Sequence, residues 1–141
     1  MEDFVNFKLA LKLKEKGFDC KYPFAMYDED GDFYPLFTSC DEDEDSKCIF
    51  GNRMYYGYDD FIGDKDAVIA PTISQVLKWF REKGVDIYCT PYWHNKTDKY
   101  YVVCIVKDRL YNYGAYIDDN DFNNYESAAL AGIEYSLDNL I

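Results

Sequence analysis

The spacing of apolar residues changes at Gly84, and this change limits the possible folds more than any other feature of the sequence. Upstream of the glycine, apolar residues recur at the i, i+3, i+4 and i+7 positions of one helix face: Ile73, Val76, Leu77 and Phe80. Downstream, apolar and polar residues alternate from Val85 to Thr90, as in a half-buried strand. Glycine readily takes the left-handed conformation in which many helices end. The chain is therefore predicted to run from a helix directly into a strand, which favours a mixed α+β fold.

Both ends of this helix–strand segment carry further signals. Thr72 precedes the first apolar position and Gln75 follows three residues later, which is the arrangement of a capping box. Pro91 is predicted to end the strand or to lie at a sheet edge, because proline cannot donate a hydrogen bond to a neighbouring strand.

Two more strands and a helix are predicted in the rest of this half. β-branched and aromatic residues fill 100–106 and 110–117. Asn124 is a good N-cap for a last helix. Its apolar stripe consists of Leu130, Ile133, Leu137 and Leu140. Gly132 weakens this helix by about 1 kcal/mol relative to alanine, so we expect it where the helix packs closely against another element.

The first half of the chain repeats the helix–glycine–strand junction. Leu13–Asp19 aligns with Phe80–Asp86, and strand-like runs follow at 18–27, 32–38 and 48–58. A true internal duplication and a coincidence of common junction residues both explain this similarity.

The predicted fold is an antiparallel sheet covered by helices, in the order α-β-β-β and then α-β-β-β-α. The polar segment 57–66 separates an N-terminal half, residues 1–66, from a C-terminal half, residues 67–141. One compact domain is the alternative. The second half alone has the element order of double-stranded RNA-binding domains, a likeness of topology that carries no activity.

The charge of the chain restricts its partners. Net charge is −12, from 27 acidic and 15 basic residues. Nucleic acids are held through clustered Lys and Arg, so direct binding to nucleic acid or to an anionic membrane is disfavoured. No apolar run approaches the roughly 20 residues that cross a bilayer. The acidic charge favours solubility, steering of a basic protein partner, or imitation of a nucleic acid.

Cysteine and histidine usage argues against familiar catalytic and metal sites. The five cysteines form no CxxC pair, and no secretory segment is predicted, so we expect reduced thiols and a cytoplasmic location. His94 is the only histidine, which excludes His-rich metal sites. A dyad of His94 with Cys89 or Cys104 lacks the context that activates a thiol.

Two acidic segments resemble cation sites only in part. Anchoring Gly31 as the sixth residue of a calcium loop puts Met26 and Phe37 at the positions that need acids. A hairpin turn with positive φ at Gly31 explains Asp28–Asp32 better. The run Asp41–Asp45 is predicted to be a solvated loop. We therefore assign no catalytic, cofactor-binding or metal-ligating residue, and we expect no cofactor.

Four aromatic residues flank one predicted turn: Tyr92, Trp93, Tyr100 and Tyr101. A platform for stacking bases also needs a basic groove, and Lys96 and Lys99 are the only basic residues close to this turn. Cross-strand aromatic packing is the prediction here.

Three stretches carry a resemblance to a known family: Ala70–Glu82, Tyr125–Tyr135 and Leu11–Phe18. They cover about a quarter of the chain, and they resemble a family of small uncharacterised proteins encoded in prophages and mobile elements of gut Bacteroidales. The resemblance implies a genetic setting and no activity, so no site residue follows from it.

Three classes of function are compatible with these observations. A non-catalytic protein-interaction or accessory protein of a prophage or mobile element fits best, with acidic residues and the 15 tyrosines contacting a protein partner. The alternatives are an acidic inhibitor that mimics nucleic acid to block a host nucleic-acid-binding protein, and an enzyme without a familiar motif.

Overall fold

A computed structural model describes most of the chain. The described residues are 3–20, 23–36, 47–50, 53–56, 66–93, 95–96, 98–108, 113–118 and 122–141. Its elements, in chain order, are α1 (Phe7–Glu15), β1 (Ala25–Tyr27), β2 (Phe33–Pro35), β3 (Lys47–Phe50), β4 (Arg53–Tyr56), β5 (Val68–Ile69), α2 (Ile73–Glu82), β6 (Val85–Trp93), β7 (Lys99–Lys107), β8 (Tyr113–Asp118) and α3 (Tyr125–Asn139). Every paired strand among them is antiparallel, and the predicted α+β class is confirmed.

The fold divides into two compact units. One unit comprises residues 4–72, and the other comprises residues 73–141 together with residues 1–3. The sequence places the division at residue 66, but β5 belongs to the first unit because Val68 and Ile69 pair with β1.

In the first unit, α1 begins at a capped end. The side chain of Asn6 accepts a hydrogen bond from the Leu9 amide at 2.9 Å, which satisfies one of the free amides of the first turn. The helix buries Leu9, Ala10 and Leu13. Strand β1 lies between β2 and β5, and β3 and β4 form a separate hairpin.

This unit differs in detail from the predicted order. The described part of this unit has five strands after α1, where the sequence indicates three. The predicted run 48–58 is a hairpin rather than one strand, because β3 and β4 pair with each other. Of the described residues in the predicted run 18–27, those in a strand are Ala25–Tyr27.

The second unit has the predicted order α-β-β-β-α. Helix α2 begins directly after Thr72 and buries the predicted face, Ile73, Val76, Leu77 and Phe80. Gly84 has φ of +80°, as its role at the helix end requires. Strand β7 lies between β6 and β8, so Pro91 lies in an edge strand. The Asn124 side chain accepts from the Ser127 amide at 2.8 Å, which confirms the predicted cap of α3.

Helix α3 covers one face of this sheet at close range. A Cβ added at Gly132 would lie 2.7 Å from Ile87 and 2.9 Å from Val103. The expectation that Gly132 marks close packing is therefore confirmed. Because side chains alternate along a strand, the odd-numbered residues of β6 and β7 share the helix-covered face, and the even-numbered residues lie on the other.

Candidate functional site

Strand β6 carries three exposed aromatic side chains. Tyr88, Tyr92 and Trp93 keep 52%, 47% and 60% of their surface accessible. Large aromatic side chains normally bury most of their area, and Val85 at the start of the same strand is almost fully buried. The far half of β6 therefore presents aromatic surface to solvent.

Cross-strand pairing fixes one pair of these rings. Tyr92 lies opposite Tyr100 in the antiparallel register, and their rings stack with centroids 6.0 Å apart and planes inclined by 27°. The predicted aromatic packing across this hairpin is thereby confirmed for Tyr92 and Tyr100. Each ring restricts the rotation of the other, so Tyr92 is exposed but held in place.

The opposite face of the hairpin holds a cation against its rings. The Lys99 ammonium lies 5.5 Å from the ring centroids of both Trp93 and Tyr101. Tyr101 in turn meets Tyr125 edge-on, with centroids 6.3 Å apart. An ammonium near an aromatic face is attracted by the electron density of the ring.

In the turn beyond these strands, the Asn95 side chain makes two hydrogen bonds to Asp98. Asn95 Nδ2 donates to the Asp98 carboxylate, and the Asp98 backbone N–H donates to the side-chain oxygen Oδ1 of Asn95, both at 2.9 Å. Trp93, Asn95 and Lys96 line a shallow depression of about 670 Å³ beside this turn. It is open to solvent and is not an enclosed cavity.

One of the two cysteines considered as a nucleophile, Cys89, is poorly suited to that role. Burial raises the pKa of the Cys89 thiol to about 11, so the thiol is protonated at neutral pH and is a weak nucleophile. His94, its suggested partner, lies outside the described residues.

The acidic segment of the first unit forms the predicted hairpin turn between β1 and β2. Gly31 has φ of +85°. The amides of Asp30 and Asp32 both donate to Asp28 Oδ1 at 2.9 Å, and the Tyr34 hydroxyl donates to Asp28 Oδ2 at 3.1 Å. These hydrogen bonds, chiefly that from the Asp32 backbone, lower the pKa of Asp28.

The same turn brings three carboxylates together. Asp28, Asp30 and Asp32 each offer an oxygen within 4.8 Å of the others, an arrangement that the sequence attributes to a turn rather than to a metal. The hydrogen bonds to both Asp28 oxygens account for its position without an ion. The other acidic run, Asp41–Asp45, lies outside the described residues.

Sequence reasoning identified only part of this surface. It singled out Tyr92 and Trp93, but it treated Tyr88 only as the polar member of an alternating strand. The signal was available, because Tyr88 and Tyr92 are four residues apart and a period of two puts them on one face. The position of Lys99 over two rings depends on the β6–β7 register, which the sequence does not specify.

Comparisons with known proteins add no relative. The chain matches no protein-family model, and no curated protein and no solved structure shows significant similarity to it.

Within the part of the chain that the structure describes, the helices are all too short or too polar to cross a bilayer.

Proposed function

We propose that this protein acts without catalysis of its own, by binding another protein through the aromatic end of the β6–β7 hairpin. The observation that carries the proposal is the exposure of Tyr88, Tyr92 and Trp93 on a single strand. Tyrosine and tryptophan are enriched in the centres of protein interfaces, where they contribute large contact area with few rotatable bonds.

The preordered rings support this proposal further. Stacking with Tyr100 restrains Tyr92, and the cation–π contact with Lys99 restrains Trp93. Side chains that are already ordered lose less conformational entropy when a partner binds. The hairpin therefore has the properties of a contact surface in its free state.

The biological setting rests on sequence resemblance alone. The resemblance of Ala70–Glu82 and Tyr125–Tyr135 to proteins of prophages and mobile elements favours an accessory role for such an element in the bacterial cytoplasm. The partner would then be a protein of the host or of the element itself.

A nucleic-acid-mimicking inhibitor is the second candidate. The observation that favours it is the convergence of Asp28, Asp30 and Asp32 within 4.8 Å, in a chain of net charge −12. Such an inhibitor would use the acidic turn of the first unit, whereas the leading proposal uses the hairpin of the second.

Site-specific photo-crosslinking in the host cytoplasm tests the leading proposal. A photoreactive phenylalanine analogue at position 92 should capture a discrete protein, whereas the same group at Leu11, an exposed position of α1, should not. Replacing both Tyr88 and Trp93 with alanine should abolish capture from position 92. Equal capture from both positions, or capture that survives the double substitution, would contradict the proposal.

Substitution of the acidic turn separates the two candidates. The triple change of Asp28, Asp30 and Asp32 to asparagine should leave capture at position 92 intact if the hairpin is the contact surface. Loss of capture in this variant, with the hairpin unaltered, would favour the inhibitor.

A further inference from the structure

The two faces of the β6–β7 hairpin differ in charge. Lys99 and Lys107 are the basic residues of these two strands, and both are odd-numbered members of the helix-covered face. On that face the rings of Trp93 and Tyr101 already contact the chain's own ammonium. The other face carries Tyr88, Thr90 and Tyr92 on β6, and neither strand contributes a lysine or arginine to it.

The two exposed tyrosines of this second face define a distance. Tyr88 and Tyr92 lie four residues apart on one strand, which corresponds to about 13 Å at roughly 3.3 Å per residue. Thr90 lies between them and is exposed, so the space between the two rings is not filled by a large side chain of β6. A partner segment in the extended conformation would repeat the same spacing between its own residues i and i+4.

Charge complementarity determines which segment fits. Aromatic rings attract cations, and a net charge of −12 attracts basic partners and repels polyanions. An acidic peptide or a nucleic acid would approach against this charge. A basic segment would be steered toward the chain and would find two rings that hold no cation from β6 or β7.

We infer that the Tyr88–Tyr92 face binds an extended basic segment of the partner protein, with arginine or lysine side chains at i and i+4 over the two rings. This inference rests on the proposed function, and it names the partner's chemistry. Arginine is the better ligand of the two, because its planar guanidinium stacks on aromatic faces.

Short peptides of defined spacing test the inference on the full-length protein. The probe is a fluorescein-labelled nine-residue peptide with arginines at positions 3 and 7 in a Ser/Thr background, and binding is followed by fluorescence anisotropy. Matched peptides carry the two arginines at positions 3 and 4, or glutamates at positions 3 and 7. We expect the spaced arginine peptide to bind most tightly, and its affinity to fall as salt rises.

Substitutions of the rings distinguish a cation–π contact from apolar contact. Tyr88→Leu and Tyr92→Leu should each weaken binding about three- to ten-fold, whereas Tyr88→Phe and Tyr92→Phe, which keep the ring, should bind nearly as the unaltered protein does. Leu11→Ala, at an exposed position of α1 outside the proposed contact surface, is the control and should leave the affinity unchanged. Circular dichroism and thermal melts establish that each variant is folded.

The outcomes separate this inference from the proposed function. Equal binding of the glutamate peptide or of an oligothymidylate, or full affinity in both leucine variants, would overturn the basic-segment inference. Failure of every peptide to bind would overturn it as well. Partner capture at position 92 would still support the proposed function in each of these cases, whereas capture independent of the hairpin would refute the function itself.

Discussion

The two helix–glycine junctions have closely similar sequences and different structures. Gly17 and Gly84 both adopt positive φ, +84° and +80°, and each follows the last turn of a helix. After Gly84 the chain enters β6 at once, whereas residues 18–20 after Gly17 lie in no strand and the next described strand is β1. The comparison shows that a local signal ends a helix, but the residues that follow become a strand only where a partner strand lies alongside.

The partner at the second junction can be identified. The Asp108 backbone N–H donates to the Gly84 carbonyl at 2.9 Å, and Val85 pairs with Lys107. At the first junction the Phe18 amide returns to the Leu13 carbonyl instead, also at 2.9 Å. The two units therefore end a helix in the same way, but only at the second junction does the chain continue directly into a strand.

The largest expected effects come from the residue four positions before each glycine. Leu13 and Phe80 are both fully buried. Leu13→Ala should lower the free energy of unfolding by about 2–5 kcal/mol and Phe80→Ala by about 3–5 kcal/mol, through lost burial and the cavities left behind. Denaturant melts measure both, with exposed Leu11→Ala as the control. A change below about 0.5 kcal/mol at either site would show that the two helices do not share this packing.

Substitution of the glycines themselves should separate the junctions. Both Gly17→Ala and Gly84→Ala force alanine into the left-handed region, at about 1–2 kcal/mol each. A Cβ at Gly17 meets nothing within 4 Å, whereas one at Gly84 would lie 2.8 Å from Asp108 Oδ1. Gly84→Ala should therefore be the more destabilising in thermal or denaturant melts.

A second substitution checks the cause of that difference. Asp108 itself has φ of +52°, so Asp108→Gly relieves its backbone strain and removes the carboxylate that would meet the new Cβ. In the Gly84→Ala background it should recover part of the lost stability, and a double-mutant cycle measures the coupling. Strictly additive effects would mean that the contact with Asp108 is not the source.

Gly132 provides a contrast, because it is required for space rather than for a left-handed conformation. Gly132→Ala improves helix propensity but drives a methyl group against Ile87 and Val103, and overpacking of this kind costs about 1–3 kcal/mol. We expect a net loss of stability that is smaller in an Ile87→Ala background, because that change removes the Cγ2 methyl group that the new Cβ would meet. A stabilised Gly132→Ala variant would contradict the close packing of α3 on the sheet.

The smallest expected effect concerns the two turns in which backbone amides donate to an Asp or Asn side chain, the Asp28 turn and the Asn95 turn. Asp28 has a lowered pKa because its ionised carboxylate accepts backbone hydrogen bonds, so its contribution is present at neutral pH. That contribution should be lost as pH falls below about 4 and through the lowered pKa. The stability difference between Asp28→Asn and the unaltered protein should shrink over that range. At the Asn95 turn, the hydrogen bond from the Asp98 backbone amide to Asn95 Oδ1 involves no titrating group, so Asn95→Ala should still be destabilising in acid.

Titration of Asp28 by NMR supplies the direct measurement. A pKa at or above the ordinary aspartate value of about 3.9 would contradict the hydrogen bonds assigned to this turn.

Much of the second unit follows from its sequence. The apolar spacing of α2, the glycine at its end, the cap at Asn124 and the alternation along β6 are local signals, and each is found where it is predicted. The first unit is less predictable because its strands are short: β1 and β2 have three residues each and β5 has two. A period of two cannot be recognised over so few positions.

The sequence by itself determined the α+β class, the α2 face, the glycines that end α1 and α2, the Asn124 cap and the turn at Gly31, because these depend on conformational preferences and spacings within a few residues. Tertiary structure alone decided that Val85 continues as a strand and Phe18 does not, and that Lys99 lies over Trp93 and Tyr101. It also decided that Tyr88 and Tyr92 remain exposed. The physical reason is that strand register and side-chain burial depend on which segments pack together in the fold. That packing involves residues that are distant in sequence.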